Sequence, residues 1–319
     1  MKIIKPEATI MEHNITPYEF IEKVGRTCYK SEGLITQGSA LKFVKNLVSR
    51  NHWAMLEHET IYVVMTKRFM SEFLSDIIYR SENLAFFNYS TNSGVQILSG
   101  SFRAFHDLFE KGYTEYSFRY LKYVVGSAFP EVFGAVECVE SSQSHPECLI
   151  YSRQSFIDTF KLRPDILFKH LTHTVKFVCD RGVSHEFVRH RVASFAQEST
   201  RYCNYSQNKF GNEITVIEPF FYTDESRAEE YKIWKQCCEI LEKGYLKLSK
   251  LGSTPQESRS ILENSLKTEL IITATETEWQ HIVNLRYLGT TGEPHPQMKE
   301  AMALCVNDLV KESGGRIKL

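Results

Sequence analysis

Two helix start signals near the C-terminal end constrain the fold more than any other feature of the sequence. Thr254-Pro255-Gln256-Glu257 has a threonine before a proline and a glutamate three residues on, the pattern of a capping box. Thr275-Glu276-Thr277-Glu278 repeats the threonine-to-glutamate spacing, and residues 270–273 between the two are rich in β-branched side chains. The sequence therefore predicts helix, strand and helix in this region.

Each of these two helices is expected to carry an arginine on its apolar face. Arg259 shares a face with Leu262 and Leu266, while Arg286 falls on the face that contains Trp279, Ile282 and Val283. A buried guanidinium without a partner is costly, so each arginine must reach solvent, pair with a carboxylate or meet an anionic ligand. The spacing alone favours structural pairing over ligand binding.

Helical and strand patterns alternate along the rest of the chain, which indicates an α/β (α+β) protein with a mixed sheet flanked by helices. Helices are predicted at residues 18–24, 39–48, 101–110 and 224–251. Two more are predicted, one from Phe69 and one that follows Asp180-Arg181-Gly182 and runs into Arg191. Strands are predicted at residues 59–65, at 95–98, ended by Ser99-Gly100, and at 174–179. We expect a single domain, 1–319, with an elaboration at about residues 66–171.

Composition narrows the class of protein. The formal net charge of −1 creates no global field for polyanions, so a phosphate must be bound by locally placed arginines, which argues against a general nucleic-acid binder. The eight cysteines are scattered and several lie in apolar runs, which predicts buried reduced thiols. Because the sequence contains no long apolar stretch, we expect a cytoplasmic protein without a membrane partner.

The densest chemistry lies at residues 186–202. A helix would project Glu186 and Arg189 from one face. Arginine offers paired planar donors for phosphate and for carbonyl edges, and serine and glutamine would complete a site for the phosphate and base of a nucleotide. When each residue is considered alone, the alternative interpretation is a solvent-exposed turn that carries positive charge. The other polar residues of the segment are His190, Arg191, Ser194, Gln197, Ser199, Arg201 and Tyr202.

Arg189-His190-Arg191, followed after seven residues by Ser199, resembles the Arg-His-Arg-x7-Ser signature of the flavin-dependent thymidylate synthases. Residues 52–58, His-Trp-Ala-Met-Leu-Glu-His, resemble the early His-x4-Glu-His segment of that family. The resemblance covers about residues 15–65 and 172–310, and it implies the family fold, which has no Rossmann motif, and a homotetramer. Further similarity lies at Glu186, Ser194, Arg201, Tyr202, Arg259, His281, Arg286 and His295.

The resemblance implies reductive methylation of dUMP to dTMP. NADPH would reduce FAD, 5,10-methylenetetrahydrofolate would donate the carbon, and the flavin hydride would complete the methyl group without an attacking cysteine. Catalysis is assigned to His52 and to Arg286, whose guanidinium would stabilise negative charge on the pyrimidine. The residues implied for dUMP are Glu186, Arg189, Gln197, Ser199, Arg201, Arg259 and Arg286. Those implied for FAD are His52, Ala54, Arg189, His190, Arg191, Gln197, Thr275, Thr277 and His281.

The sequence departs from the family pattern on the flavin side. Thr275 and Thr277 stand where some members have an asparagine and an arginine that contact FAD, and Gln197 stands where some have glutamate. Thr275 fits a helix cap as well as a ligand role. Ser199 has no evident neighbouring base that would make it a nucleophile, and Cys203 lacks the surroundings of the flavin-free synthases, which predicts a structural thiol.

The sequence offers two other interpretations, a metal site and a binding protein without redox chemistry. Cys138, His145 and Cys148 lack a fourth ligand and fit no common zinc spacing, and a helix would separate His52 from His58, so no metal is expected. A non-redox nucleotide- or RNA-binding protein with the same arginine loop is the alternative to the synthase. It would be colourless and would bind with a steep dependence on salt.

Overall fold

The computed structural model describes residues 1–80, 84–91, 94, 96–201, 203–206 and 211–319. Tyr202, which the sequence places in the arginine-rich segment, and Val95, the first residue of one predicted strand, lie outside the described residues. The strands are β1 Lys2–Ile4, β2 Glu7–Met11, β3 Thr60–Met65, β4 Phe87–Ser90, β5 Gln96–Ser101, β6 Cys148–Tyr151, β7 Thr172–Asp180, β8 Ser194–Gln197, β9 Thr215–Ile217 and β10 Lys267–Thr275.

Helices cover most of the remaining regular structure. They are α1 Pro17–Tyr29, α2 Ser39–Ser49, α3 Lys67–Tyr79, α4 Phe102–Phe109, α5 Tyr116–Ala128, α6 Pro130–Phe133, α7 Arg153–Phe160, α8 Pro164–His170, α9 Arg181–Phe187, α10 Ala228–Lys250, α11 Pro255–Ser258, α12 Glu276–Arg286, α13 Pro296–Ala303 and α14 Val306–Glu312. A 3₁₀ helix spans Trp53–His58. No helix in the described part of the chain combines the length and the apolar character needed to cross a bilayer.

Within the described residues, the strands form two antiparallel four-stranded sheets and one parallel pair. Sheet one has the order β4-β5-β3-β6, sheet two has the order β2-β7-β10-β8, and β1 pairs with β9. The predicted α+β class is confirmed, although the strands form separate antiparallel sheets where a single mixed sheet was expected. Each sheet has its own apolar core, which contains Phe69, Phe73 and Phe102 for sheet one and Phe177 and Trp279 for sheet two.

The capping signals define helix starts as predicted. Thr254 and Glu257 form a capping box, and the side chain of Thr275 accepts a hydrogen bond from the backbone N–H of Glu278 at 3.3 Å. The helix that follows Thr254 is much shorter than expected, however, because α11 ends at Ser258 and a 3₁₀ turn covers Arg259–Ile261. The predicted helical face that joins Arg259 to Leu262 and Leu266 is therefore wrong.

Two other predicted boundaries are wrong. The helix expected to run into Arg191 ends at Phe187, so Glu186 and Arg189 do not share a helical face. The strand expected to end before Ser99 continues to Ser101, because Ser99 and Gly100 still pair with β3. Glycine is required at position 100 since an added Cβ would lie 2.7 Å from the Phe87 ring.

Candidate active site

The arginine-rich turn begins where α9 ends. Asp180 starts this short helix by accepting a hydrogen bond from the backbone N–H of Val183 at 2.7 Å, and the chain leaves the helix after Phe187. Arg189 and Arg191 are exposed, whereas His190 between them is only 4% exposed. The turn therefore presents two cationic side chains to solvent and buries one imidazole.

Arg286, at the end of α12, connects that helix to this turn. Its Nη1 donates to the carboxylate of Glu186 at 2.8 Å, its Nη2 donates to the Glu186 carbonyl at 3.2 Å, and its Nε donates to Nε2 of His190 at 3.1 Å. The structural pairing that the sequence favours for Arg286 is thus confirmed, with Glu186 as the partner. Bonds along two edges of the guanidinium fix its plane.

His190 is held in one tautomer. Because Arg286 Nε can only donate, His190 Nε2 must accept, and the ring proton then lies on Nδ1. Nδ1 faces the carboxylate of Glu278 at 3.7 Å, and the ring of His281 lies edge-on at 5.8 Å. The arginine thereby selects the imidazole orientation at the centre of the turn.

His190, Glu278 and His281 lie close enough for their ligand atoms to share a metal ion. The guanidinium of Arg286 beside His190 disfavours a divalent cation there, because it occupies the Nε2 lone pair and adds positive charge. Among the described residues, Cys138, His145 and Cys148 do not form a ligand cluster of this kind. All eight cysteines are free thiols and all but Cys138 and Cys237 are buried, as the sequence predicts. Burial raises the pKa of Cys203 to about 12, which suits the structural role expected for it.

The residues implied for dUMP converge only in part. Gln197, on β8, donates from its amide nitrogen to the hydroxyls of Ser184 at 2.9 Å and Thr268 at 3.1 Å. The hydroxyl of Ser199 accepts from the backbone N–H of Arg201 at 3.4 Å. Arg259 reaches the same loop, since its Nη1 donates to Thr200 Oγ1 at 3.2 Å. Arg189, Arg201 and Arg259 are exposed in the single chain.

A cluster of buried ion pairs lies next to the loop that follows β8. It was not predicted from the sequence. Lys267 Nζ lies 2.7 Å from a carboxylate oxygen of Glu198 and 2.8 Å from one of Glu269, and Lys30 also pairs with Glu269. Burial alone would raise the pKa of Glu269, but Lys267 and Lys30 lower it to about 2. Charged residues in the otherwise apolar strand β10 were the available signal.

A cleft of about 500 Å³ lies between the two sheets and next to the turn. We call it the inter-sheet cleft. Arg191, Ser194 and Thr275 line it, whereas the hydroxyl of Thr277 points elsewhere and donates to the Phe168 carbonyl at 2.9 Å. Thr275 is thus both a helix cap and part of the cleft wall.

The donor set of the inter-sheet cleft suits a flavin dinucleotide. Arg191 and Arg103 supply guanidinium groups, Ser101 and Thr275 are the caps of α4 and α12, and the exposed Phe86 supplies an aromatic surface. Guanidinium groups and helix N-termini favour phosphate, and an exposed aromatic ring can stack on a flat heterocycle. The residues present therefore fit FAD.

His52 and Ala54 lie elsewhere in the single chain. Both are exposed, and His52 lines a separate pocket of about 690 Å³ on α1 and α2 together with Arg26, Lys42 and Arg50. The structure thus brings Arg191 and Thr275 together but does not bring His52 to the same cleft.

Fold and site together define an α+β protein with arginines after α9, at the end of α12 and in the loop that follows β8. Residues 140–312, more than half of the chain, match the model of the thymidylate synthase complementing protein family, and the chain belongs to that family. The resemblance inferred from the segment between Arg189 and Ser199 is confirmed. The early segment around His52 lies outside the matched residues.

Curated relatives carry the name flavin-dependent thymidylate synthase. The chain is 31% identical to that of Thermococcus onnurineus over 108 residues, which cover 34% of this chain and 42% of the relative. It is 29% identical to that of Pyrococcus abyssi over 123 residues, or 38% and 48% of the two chains. The Corynebacterium aurimucosum protein is 25% identical over 202 residues, or 57% and 75%. The chain thus spans a little under half the length of the Thermococcus and Pyrococcus relatives.

A solved structure of the UMP/dUMP methylase PolB from Streptomyces cacaoi, bound with 5-Br dUMP, was also matched. It aligns over 100% of both chains with 10% sequence identity and a TM-score of 0.43.

Proposed function

We propose that this chain is a flavin-dependent thymidylate synthase, an FAD-dependent methyltransferase that converts dUMP to dTMP. The carbon donor is 5,10-methylenetetrahydrofolate and the reductant is NADPH. The proposal rests on membership of the thymidylate synthase complementing protein family and on the chemistry of the arginine-rich turn. The names of the relatives from Thermococcus onnurineus and Pyrococcus abyssi agree with it.

The observation that carries the proposal is the position of Arg286. Its guanidinium has five N–H donors, and the three bonds to Glu186 and His190 leave two donors for a ligand. A guanidinium whose plane is already fixed meets a pyrimidine carbonyl at little entropic cost. We assign Arg286 to the base end of dUMP, where it stabilises negative charge that develops on the ring.

The phosphate end is assigned to the loop that follows β8. Arg259 contacts this loop through Thr200, and Ser199 and Arg201 lie beside that contact. Two guanidinium groups and a hydroxyl suit a phosphate monoester. We assign Gln197 and Arg189 to both dUMP and FAD, between the two ligands.

FAD, when bound, supplies the hydride, taken from NADPH, that reduces the transferred carbon to a methyl group. We assign Arg191 and Thr275 in the inter-sheet cleft, with His190 and His281 beside it, to the cofactor. Over the whole reaction, the methylene carbon forms a bond to C5 of the pyrimidine, its bond to the folate nitrogen breaks, and the C5 proton leaves to water. The folate nitrogen takes up a proton and tetrahydrofolate is released. Arg286 holds the ring oriented through this exchange.

We further propose that other subunits complete the site in a homotetramer. Arg189, Arg201 and Arg259 are exposed in the single chain, and His52 lies in a different pocket from Arg191. We expect a neighbouring subunit to cover these arginines when the tetramer forms. Water is then excluded from the site, and electrostatic stabilisation of the substrate is strongest where water is excluded. His52 and Ala54 would then line the flavin of another subunit.

The proposal is tested on the purified chain with FAD. We expect the protein to bind oxidised FAD and to show its absorbance spectrum. We also expect dUMP to accelerate the oxidation of NADPH. A colourless protein that binds no FAD, and that instead binds RNA with a steep salt dependence, would contradict the proposal and support the alternative.

A further inference from the structure

Two segments of the chain repeat one succession of elements. Residues 7–109, unit one, contain β2, α1, α2, a 3₁₀ helix, β3, α3, β4, β5 and α4. Residues 148–286, unit two, contain β6, α7, α8, β7, α9, β8, β10 and α12 in the corresponding places, with β9, α10 and α11 inserted between β8 and β10. The sheets also correspond, with the order β4-β5-β3-β6 in one and β8-β10-β7-β2 in the other. The first strand of each unit therefore joins the sheet of the other unit.

The register of the strands identifies equivalent residues. Thr60 pairs with Ser101 in sheet one, and Thr172 pairs with Thr275 in sheet two. Ser101 and Thr275 both cap the helix that follows. The backbone N–H of the first residue of each of these helices donates to the residue just before the paired threonine, from Phe102 to Glu59 at 3.3 Å and from Glu276 to Leu171 at 3.0 Å.

The contacts between the units are reciprocal. His58 Nδ1 lies 2.8 Å from the hydroxyl of Thr273 in unit two, and His170 Nδ1 lies 2.8 Å from the hydroxyl of Ser99 in unit one. His58 and His170 are equivalent by register, and so are Ser99 and Thr273. The hydroxyls of Thr60 and Thr172 face each other at 3.4 Å. Such exchange of partners is the mark of a two-fold interface, here within one chain.

The inter-sheet cleft lies on this local two-fold axis. Its wall contains equivalent pairs from the two units, among them Thr60 with Thr172 and Ser101 with Thr275. The two units carry their positive charges at positions of the cleft that are not equivalent. Unit two has Arg191 before β8, and by register Ala85 is its equivalent in unit one. Unit one has Arg103 two residues after its cap, and the equivalent residue of unit two is Thr277.

We propose that unit one is a diverged copy of unit two that forms half of the cofactor site, and that Arg103 binds the diphosphate of FAD opposite Arg191. The inference rests on the proposed function, because it takes FAD as the ligand of the inter-sheet cleft. It gives residues 66–171 a role that the sequence leaves open, since Arg103 lies among them. It also gives the cleft a second cationic side chain besides Arg191. That side chain is Arg103 of unit one, whose equivalent in unit two is the neutral Thr277.

Arg103 is placed to reach a ligand. Its side chain is 43% exposed, and Nη1 donates to Glu57 at 2.6 Å while Nε lies 3.4 Å from Asp107. Glu57 and Asp107 also line the cleft. A phosphate must therefore compete with Glu57 for the guanidinium, so removal of the Glu57 charge is expected to favour the phosphate.

The experiment measures FAD affinity by the quenching of flavin fluorescence. We expect Arg103→Gln to raise the Kd for FAD by about tenfold or more and Glu57→Gln to lower it, because a charge-assisted bond to phosphate is lost in one variant and freed from competition in the other. Arg103→Lys, which keeps the charge, is expected to recover part of the affinity. Arg68→Gln is the matched control, since Arg68 lies on α3 of the same unit and pairs with Glu72.

The outcomes separate the two proposals. Wild-type protein that binds no FAD would overturn the proposed function and this inference with it. Wild-type protein that binds FAD, while Arg103→Gln and Arg103→Lys bind it with unchanged Kd, would overturn this inference alone. Thermal unfolding of each variant verifies that a change in Kd does not come from loss of the fold.

Discussion

Arg286 and Glu186 lie one hundred residues apart in the chain, yet Nη1 of Arg286 donates to the Glu186 carboxylate at 2.8 Å. This ion pair ties the last turn of α12 to the last turn of α9 and holds His190 between them. The pair is partly exposed, with 18% of the arginine side chain and 24% of the glutamate side chain accessible, so a ligand can reach it. We therefore regard the pair as the base-recognition end of the proposed site.

Replacing Arg286 with alanine is expected to lower kcat by at least about a hundredfold, or about 2.7 kcal/mol, the scale of removing one preorganised donor to a developing anion. The variant should stay folded and keep FAD. Steady-state turnover, together with the flavin spectrum, measures both properties. Arg68→Ala, on the exposed face of α3, serves as the control and should turn over like the wild type. Near wild-type kcat in Arg286→Ala would refute the catalytic role.

Glu186→Gln separates positioning from direct binding. The amide keeps an acceptor for Arg286 but loses the charge, and charge-assisted hydrogen bonds are about twice as strong as neutral ones. We expect kcat to fall by about tenfold with a smaller change in the KM for dUMP, because the arginine is less firmly oriented. A large rise in KM with unchanged kcat would show instead that the Glu186 carboxylate binds dUMP itself.

His58 and His170 should make stability depend on pH. Burial lowers the pKa of each imidazole to about 3, whereas an unfolded chain protonates histidine near pH 6.5. The stabilisation is thus complete above pH 6.5 and is lost as the pH falls towards 3. Each histidine should contribute about 1 kcal/mol per pH unit to the slope.

Urea unfolding of the wild type and of His170→Gln between pH 7 and pH 4 tests this expectation. The variant should have a shallower slope, since one buried group no longer titrates. His145→Gln is the matched control because His145 is exposed. Equal slopes in all three proteins would show that the buried histidines do not control acid stability.

Glu269→Gln should destabilise the fold by about 3 kcal/mol, because it leaves buried lysines without their counter-charge. Lys267 lies 2.8 Å from this carboxylate and 2.7 Å from Glu198. With a folded pKa of about 2, Glu269 stabilises the protein above about pH 4.5, and this contribution is lost as the pH falls towards 2. Chemical denaturation at pH 7 measures the loss. Glu72→Gln, which breaks the exposed pair with Arg68, should cost less than about 1 kcal/mol, and an equal cost in both variants would contradict the cluster's role.

The sequence was informative where structure depends on local chemistry. The caps at Thr254 and Thr275 are set by residues three positions away, so their spacing predicts them. The Arg-His-Arg segment likewise identified the family. The end of α9 at Phe187 was not predictable in this way, because a bond to Arg286 from another element holds the turn that follows.

Contacts between distant segments could not be predicted. The spacing of Arg286 indicated a partner without naming Glu186, and nothing local relates His58 to Thr273, which lies 215 residues away. The duplication is visible only in strand order and register. A few equivalent residues are identical, such as His58 with His170 and Thr60 with Thr172, but others have diverged, as at Arg191 and Ala85. The repeat was therefore not predicted from the sequence.

Release of tritium from C5-labelled dUMP is the most direct test of the central claim that the arginine-rich turn and Arg286 serve the methylation of dUMP. The complete mixture contains FAD, NADPH and 5,10-methylenetetrahydrofolate, and each is omitted in turn. We predict sustained tritium release and dTMP formation only in the complete mixture, with both strongly reduced in Arg286→Ala. No tritium release and no dTMP in the complete mixture, from folded protein loaded with FAD, would contradict the account.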